Sequence, residues 1–287
     1  MVNEQKDSMS FQLSYVQVQL EYSSKTAFLK FAREPVNALN TELWTQLAQA
    51  LKFTESHFPN IRALIISSNI SKNIFCAGND ITELYSPGTC KDQFVNFWKI
   101  QNNMLIDLYQ SPLFTVAAIS GFCAAGGLAI ALCCDMRVAT KESKLGLNEA
   151  MLGIPAPKYW AMLLEKTIGS ADAQRMLYSN GALGLFISAD KAKHIQLVDD
   201  VVTGSGSSGL FDLSIEIIKK RIGASDALLL QGMQRNKAML HKDFAEKWRQ
   251  YSCEIEPENA WNSLCEDAVV QGLKYTLEKL SRAKPKL

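Results

Sequence analysis

One carboxylate and two small-residue loops carry most of the chemistry that this sequence offers. Glu149 sits in an apolar run formed by Leu145, Leu147, Met151, Leu152 and Ile154, with no basic side chain nearby after Lys144. A carboxylate desolvated by such neighbours has its pKa pushed up, towards the range of a general base. Phe75-Cys76-Ala77-Gly78-Asn79-Asp80-Ile81 and Gly121-Phe122-Cys123-Ala124-Ala125-Gly126-Gly127 are loops of small residues that follow apolar strands. Backbone N–H groups exposed in such loops, or at a helix start, can hold an anion. A base with two anion-holding loops suits proton abstraction next to a carbonyl: the loops carry the enolate oxygen and the glutamate moves the proton. Taken singly, each loop is equally compatible with a tight glycine turn, and Glu149 with a surface glutamate.

Composition narrows the remaining classes. The 287 residues are 47% hydrophobic and 21% charged, the balance of a chain that buries a full core. A formal net charge of +1 without a basic stripe argues against nucleic acid as a partner. Seven cysteines without a C-x-x-C spacing, and three separated histidines (His57, His194 and His241), point to a reducing compartment and away from a metal site or a Ser-His-Asp triad. Residues 113–134 are uncharged and long enough to span a bilayer. Pro112 precedes them and Gly121, Gly126 and Gly127 interrupt them, so the stretch divides into a strand (Phe114–Ile119), a loop and a buried helix (Gly126–Cys133), with no membrane span. Residues 1–10 carry Glu4 and Asp7, lack arginine and have no apolar run, so neither a signal peptide nor an evident transit peptide is expected.

The elements that must position the loops follow from periodicity. Val16, Val18 and Leu20 alternate with polar residues, and residues 27–31 follow a polar turn, which predicts a half-buried hairpin. Asn40 or Thr41 can cap a helix bearing Leu43, Trp44, Leu47, Ala48 and Leu51, and residues 62–67 then read as a buried strand. The pattern recurs through a long helix with Phe94, Phe97, Trp98, Met104, Leu105 and Leu108, then strands at Phe114–Ile119 and 136–139. Strands each followed by a helix predict an α/β fold with parallel sheets. Residues 203–209 have the composition of a flexible linker. Beyond them the spacing predicts helices over 210–222, 227–240 and 258–280, the last with Trp261, Leu264, Ala268, Leu273 and Leu277 at roughly helical spacing.

Together the segments resemble the crotonase superfamily, the enoyl-CoA hydratases and isomerases, from about residue 16 to 202, with the helical tail compatible. Arg33-Glu34-Pro35-Val36-Asn37-Ala38-Leu39 looks like the family's segment beside the CoA nucleotide, 75–81 and 121–135 its two oxyanion loops with a buried helix, and 145–154 the strand and loop of its acid/base. The resemblance implies a spiral of repeated ββα units (1–202), the linker 203–209 and a C-terminal helical trimerisation region (210–287). It assigns the oxyanion donors to Ala77 and Gly126 and the acid/base to Glu149. It places Asn37, Ala38, Cys76, Ala77, Gly78, Asn79, Asp80, Ile81, Gly126 and Asn148 around the substrate. Hydratases carry a second glutamate where this chain has Ala129. That departure leaves a one-carboxylate reaction, so the chain looks like the mitochondrial Δ3,Δ2-enoyl-CoA isomerases of fatty-acid β-oxidation. An acyl-CoA thioester would then be the substrate, with no metal or redox cofactor, in a homotrimer of the mitochondrial matrix; the ending Pro285-Lys286-Leu287 is an imperfect peroxisomal signal. The resemblance also admits hydration, thioester hydrolysis, or a non-catalytic acyl-CoA or RNA binder on the same scaffold.

Overall fold

The computed structural model describes residues 8–178, 185–202, 207–223 and 227–282. Three antiparallel strands open it: β1 (Ser8–Gln12), β2 (Val16–Glu21) and β3 (Thr26–Phe31). β2 buries Val16, Val18 and Leu20 and exposes Gln17 and Gln19, as its alternation requires. β1 escapes the sequence reading; Phe11, its half-buried residue, stacks on Phe53. Helix α1 (Thr41–Glu55) starts where Asn40 accepts a hydrogen bond from the Leu43 N–H, and lays Leu43, Trp44, Leu47 and Leu51 on the core.

The chain then spirals. Each turn gives one strand to a large sheet, one short strand to a small sheet, and then helix. The turns are β4 (Ala63–Ser68), β5 (Ile74–Cys76), α2 (Ile81–Leu84) and α3 (Lys91–Gln110); β6 (Phe114–Ile119), β7 (Phe122–Ala124) and α4 (Gly126–Cys133); and β8 (Met136–Thr140), β9 (Lys144–Gly146), a 3-10 turn (Glu149–Leu152), α5 (Lys158–Ile168) and α6 (Ser170–Leu177). After β10 (Ile187–Ser188), α7 (Ala189–His194) and β11 (Asp200–Val202), the sheets are complete in the orders β1-β2-β3-β4-β6-β8-β11 and β10-β9-β7-β5. The large sheet is parallel from β3 to β11 and the small one from β5 to β9. This is the α/β ββα spiral that the resemblance implies. The charge-free stretch divides as expected, with β7 inside its loop, and every residue of α4 is buried. No described helix is long and apolar enough to cross a membrane.

Of the predicted linker, 203–206 lie outside the described residues, and 207–209 are already helical as the start of α8 (Ser207–Ile218). The apolar stripe of α8 and the π-helical turn after it accounts for that early start: Leu210, Ile218 and Ile222 pack under Ala63, Ile65, Val116, Ala118 and Val138 of the large sheet. Helix α9 (Ala227–Glu254) runs past the predicted 240 because Ala245 and Trp248 reach the core. The expected helix over 258–280 is two, α10 (Glu256–Leu264) and α11 (Asp267–Arg282). They part where Ser86 Oγ donates to the Leu264 carbonyl and the Cys265 N–H turns back to Trp261 and Asn262. Leu264, Val269 and Leu273 are buried, whereas Ala268 is exposed.

Asn37 ties the first turn together. Its φ of +52° is a left-handed conformation that asparagine tolerates. Its buried amide accepts from the Arg33 N–H (2.7 Å) and donates to the Phe75 carbonyl and Ser68 Oγ (both 2.9 Å). Asn37→Ala would strand these groups, so a loss of about 3 kcal/mol is expected, read as a lower urea midpoint at unchanged denaturant slope.

Candidate active site

Two backbones meet at the centre of the spiral with almost no side chain between them. A Cβ on Gly127 would lie 2.6 Å from the Cys76 Cβ, and one on Gly78, whose φ is +99°, 2.8 Å from the Ala125 Cβ. Gly126 is equally tight: its Cβ would fall 2.9 Å from Leu39 Cδ1 and 3.0 Å from Asn79 Oδ1. The loop after β5 therefore lies against the N-terminus of α4, where the first N–H groups of a helix have no partner within it. Ala125 enters that helix at φ +47°, a strained value for a residue with a Cβ.

The Ala77 N–H is not free for the donor role that the resemblance assigns it. The Ala77 N–H donates to the Val36 carbonyl at 3.0 Å, so it is already spent. Leu39 N–H donates to Gly78 O and Asp80 N–H to Leu39 O, the two bonds of a parallel bridge between Leu39 and Asn79. In such a bridge the intervening N–H, that of Asn79, points away from the partner chain. It has no acceptor among the described residues, and neither has the Gly126 N–H. Asn79 and Gly126 thus each offer an unspent N–H, one from each of the two facing loops.

Glu149 opens the 3-10 turn after β9 and is 7% exposed. Neither carboxylate oxygen has a partner among the described residues. Burial pushes its pKa up from 4.5 to about 7. It lines a cavity of about 810 Å³ together with Ala77, Asn79, Ile81, Ala125 and Asn148. Gly126 is one residue behind Ala125. No three His, Cys, Asp or Glu side chains cluster as metal ligands among the described residues.

Other residues expected around the substrate brace the loop and do not line this cavity. Asn37 is the buried tie described above, and the Ala38 carbonyl accepts from Arg33 Nη1 at 2.7 Å. Cys76 donates its Sγ–H to the Asn37 carbonyl, and burial pushes this thiol up to about 12. Gly78 supplies the turn. Asp80 caps α2 through Thr82 and pairs with Arg33 at 2.8 Å; burial raises its pKa, but these hydrogen bonds outweigh it and the net shift is downward.

Sequence reasoning missed the opposite wall of the cavity, which comes from α3, α5 and the last three helices. Trp98, Trp160, Tyr251, Glu256, Leu264 and Tyr275 belong to it. Glu256 is a second buried carboxylate, 5% exposed, and it accepts from Trp98 Nε1 and from the Lys158 N–H, both at 3.0 Å. Burial raises its pKa against the pull of those bonds. Trp98 was legible only as a core position, and nothing around Glu256 in the sequence marks it.

A spiral of ββα turns that holds an unpaired buried carboxylate and, among the described residues, unspent backbone N–H groups on two facing loops agrees with comparison to known proteins. Residues 21–280 match the family model for enoyl-CoA hydratase/isomerase, and the chain belongs to that family of enzymes, the crotonases. It is 31% identical over 271 residues to human mitochondrial enoyl-CoA delta isomerase 1, covering 94% of this chain and 84% of that one. It is also 31% identical over 228 residues to (E)-benzylidenesuccinyl-CoA hydratase of Thauera aromatica, covering 79% and 83%. The crystal structure of human mitochondrial delta3-delta2-enoyl-CoA isomerase superposes with a TM-score of 0.84 at 31% identity, over 94% of this chain and all of that one.

The raised pKa of Glu149 makes stability depend on pH. An unfolded glutamate ionises through pH 4.5, whereas the folded one keeps its proton to about 7. The native state binds more protons between those values, so its stability falls as pH rises through them, by roughly 3 kcal/mol in total. Glu149→Gln lacks this penalty. It should exceed the parent's unfolding free energy by about that amount near pH 8 and converge with it near pH 4, measured by urea denaturation.

Proposed function

We propose that the protein shifts the double bond of 3-enoyl-CoA thioesters to 2-trans-enoyl-CoA by a 1,3-proton transfer. The observation that carries this reading is the unpaired Glu149 carboxylate, buried in a cavity wall it shares with the Asn79 and Ala125-Gly126 loops. Glu149 takes a proton from C2, and the electrons of that C–H bond move into the thioester to give a dienolate. The dienolate oxygen is held by the N–H groups of Asn79 and Gly126, donors fixed in place before the charge develops. The protonated Glu149 then delivers its proton to C4, leaving the double bond between C2 and C3. No atom is gained or lost, and coenzyme A enters as part of the substrate.

Hydration is the competing reaction, since relatives of similar identity are named hydratases. It calls for a second carboxylate to help orient water. At the position where hydratases carry one, this chain has Ala129, fully buried in α4. The other carboxylate in the cavity wall, Glu256, already accepts hydrogen bonds at both oxygens. The reading extends to fatty-acid β-oxidation in the mitochondrial matrix, supported by the names of the human and mouse relatives, with the peroxisome as the alternative.

Purified protein should convert a 3-enoyl-CoA into the conjugated product, followed by ultraviolet absorbance, and Glu149→Gln should lower kcat by at least about 10³-fold with CoA-ester binding retained. Hydration of 2-trans-enoyl-CoA should be absent or far slower, and equal rates would overturn the one-carboxylate reading. We also propose a homotrimer through the C-terminal helices. Light scattering is expected to give about three times the chain mass, and a stable monomer at working concentration would refute it.

A further inference from the structure

Asn79 does more than offer a backbone N–H, because its side chain is gripped from two sides. Trp44 Nε1, on α1, donates to Asn79 Oδ1 at 3.3 Å, and Asn79 Nδ2 donates to Gln101 Oε1, on α3, at 2.9 Å. Trp44 and Gln101 are fully buried. An indole N–H is a donor only, so it fixes the direction of the whole chain: Oδ1 of Asn79 must face Trp44, Nδ2 must face Gln101, and Gln101 must present its oxygen. That orientation leaves Gln101 Nε2 without a partner among the described residues. A buried orphan donor is destabilising, and an apolar side chain would avoid it. What the amide supplies in return is the bond to Asn79. The gripped side chain also lies where a Cβ on Gly126 would come within 3.0 Å of its oxygen, so the brace touches both halves of the donor pair.

We propose that Gln101 and Trp44 are positioning residues for the oxyanion hole, locking the direction of the Asn79 N–H by holding its side chain between α1 and α3. This rests on the reading above in which that N–H holds the thioester oxygen. A donor that is present but misaimed binds the ester and stabilises the dienolate poorly, so the effect falls on kcat and not on KM.

The experiment compares Gln101→Met, which removes the acceptor at similar length, with Gln101→Glu, which keeps an oxygen facing Asn79. Two signals are read: turnover of 3-enoyl-CoA, and the red shift in absorbance of a bound conjugated 2,4-dienoyl-CoA, which reports carbonyl polarisation without turnover. The methionine variant should lose about 10-fold or more in kcat with KM within about twofold, and should lose most of the red shift. The glutamate variant should recover both, and the pH midpoint set by Glu149 should stay in place. Parental kcat and red shift in Gln101→Met would overturn the proposal, as would losses in both variants that merely track the folded fraction. Should Gln101→Met fail to fold, Asn79→Ala keeps the backbone N–H, removes the brace, and is judged by the same two signals. If the wild type shifts the probe but does not isomerise 3-enoyl-CoA, the isomerase reading fails and the brace is decided on the red shift alone.

Discussion

The site depends on two stretches of backbone approaching more closely than side chains allow. Gly78, Gly126 and Gly127 each lack a Cβ where one would come within 3 Å of a neighbouring atom. That contact sets the loop after β5 against the start of α4. A side chain on Gly127 would push β5 and α4 apart, one on Gly78 would press on Ala125 just before α4, and one on Gly126 would displace the side chains of Leu39 and Asn79. The residues around the contact are correspondingly inward-turned: Asn37, Cys76 and Asp80 spend their polar atoms on tying β5 and the loop after it to residues 33–37. Most of the polar chemistry in this region is structural, and its product is a rigid pair of amide dipoles.

The carboxylates of the molecule show how environment sorts one functional group into different roles. Asp80 has Thr82 and Arg33 to stabilise its charge and stays ionised. Glu256 is as buried as Glu149 but has two donors, which tie α10 to α3 and α5. Glu149 alone among these three has none. A group whose charged and neutral forms are close in free energy near neutrality can accept a proton and return it within one cycle. The absence of a partner is what the site requires of it.

Most of the spiral was legible in the sequence because its long elements carry clear periodicity: the alternation of Val16, Val18 and Leu20, the Asn40 cap and the all-apolar α4. The small sheet was not, because β5, β7 and β9 have three residues each, too few to show a period. Glu149 could be singled out from its apolar flanks. Ala77 could not be told from Asn79, since which N–H is spent depends on partners at Val36 and Leu39 that lie some 40 residues earlier in the chain. The far wall of the cavity was hidden for the same reason. Tyr251, Glu256 and Tyr275 look like ordinary positions on polar helices until tertiary packing turns them towards the site.

That far wall has a consequence for the order in which the molecule is made. α11 packs on the turn that begins with Glu149, and Val269 lies close to Gly153 at the end of that turn. During vectorial synthesis from the N-terminus, the two loops and the glutamate leave the ribosome well before the helices that enclose them. Until those helices dock, the turn that begins with Glu149 lacks their cover, and the burial that raises the carboxylate's pKa is incomplete. Its basicity is therefore complete only at the last stage of assembly, and a nascent chain can contain every reactive group before the site that tunes them is closed.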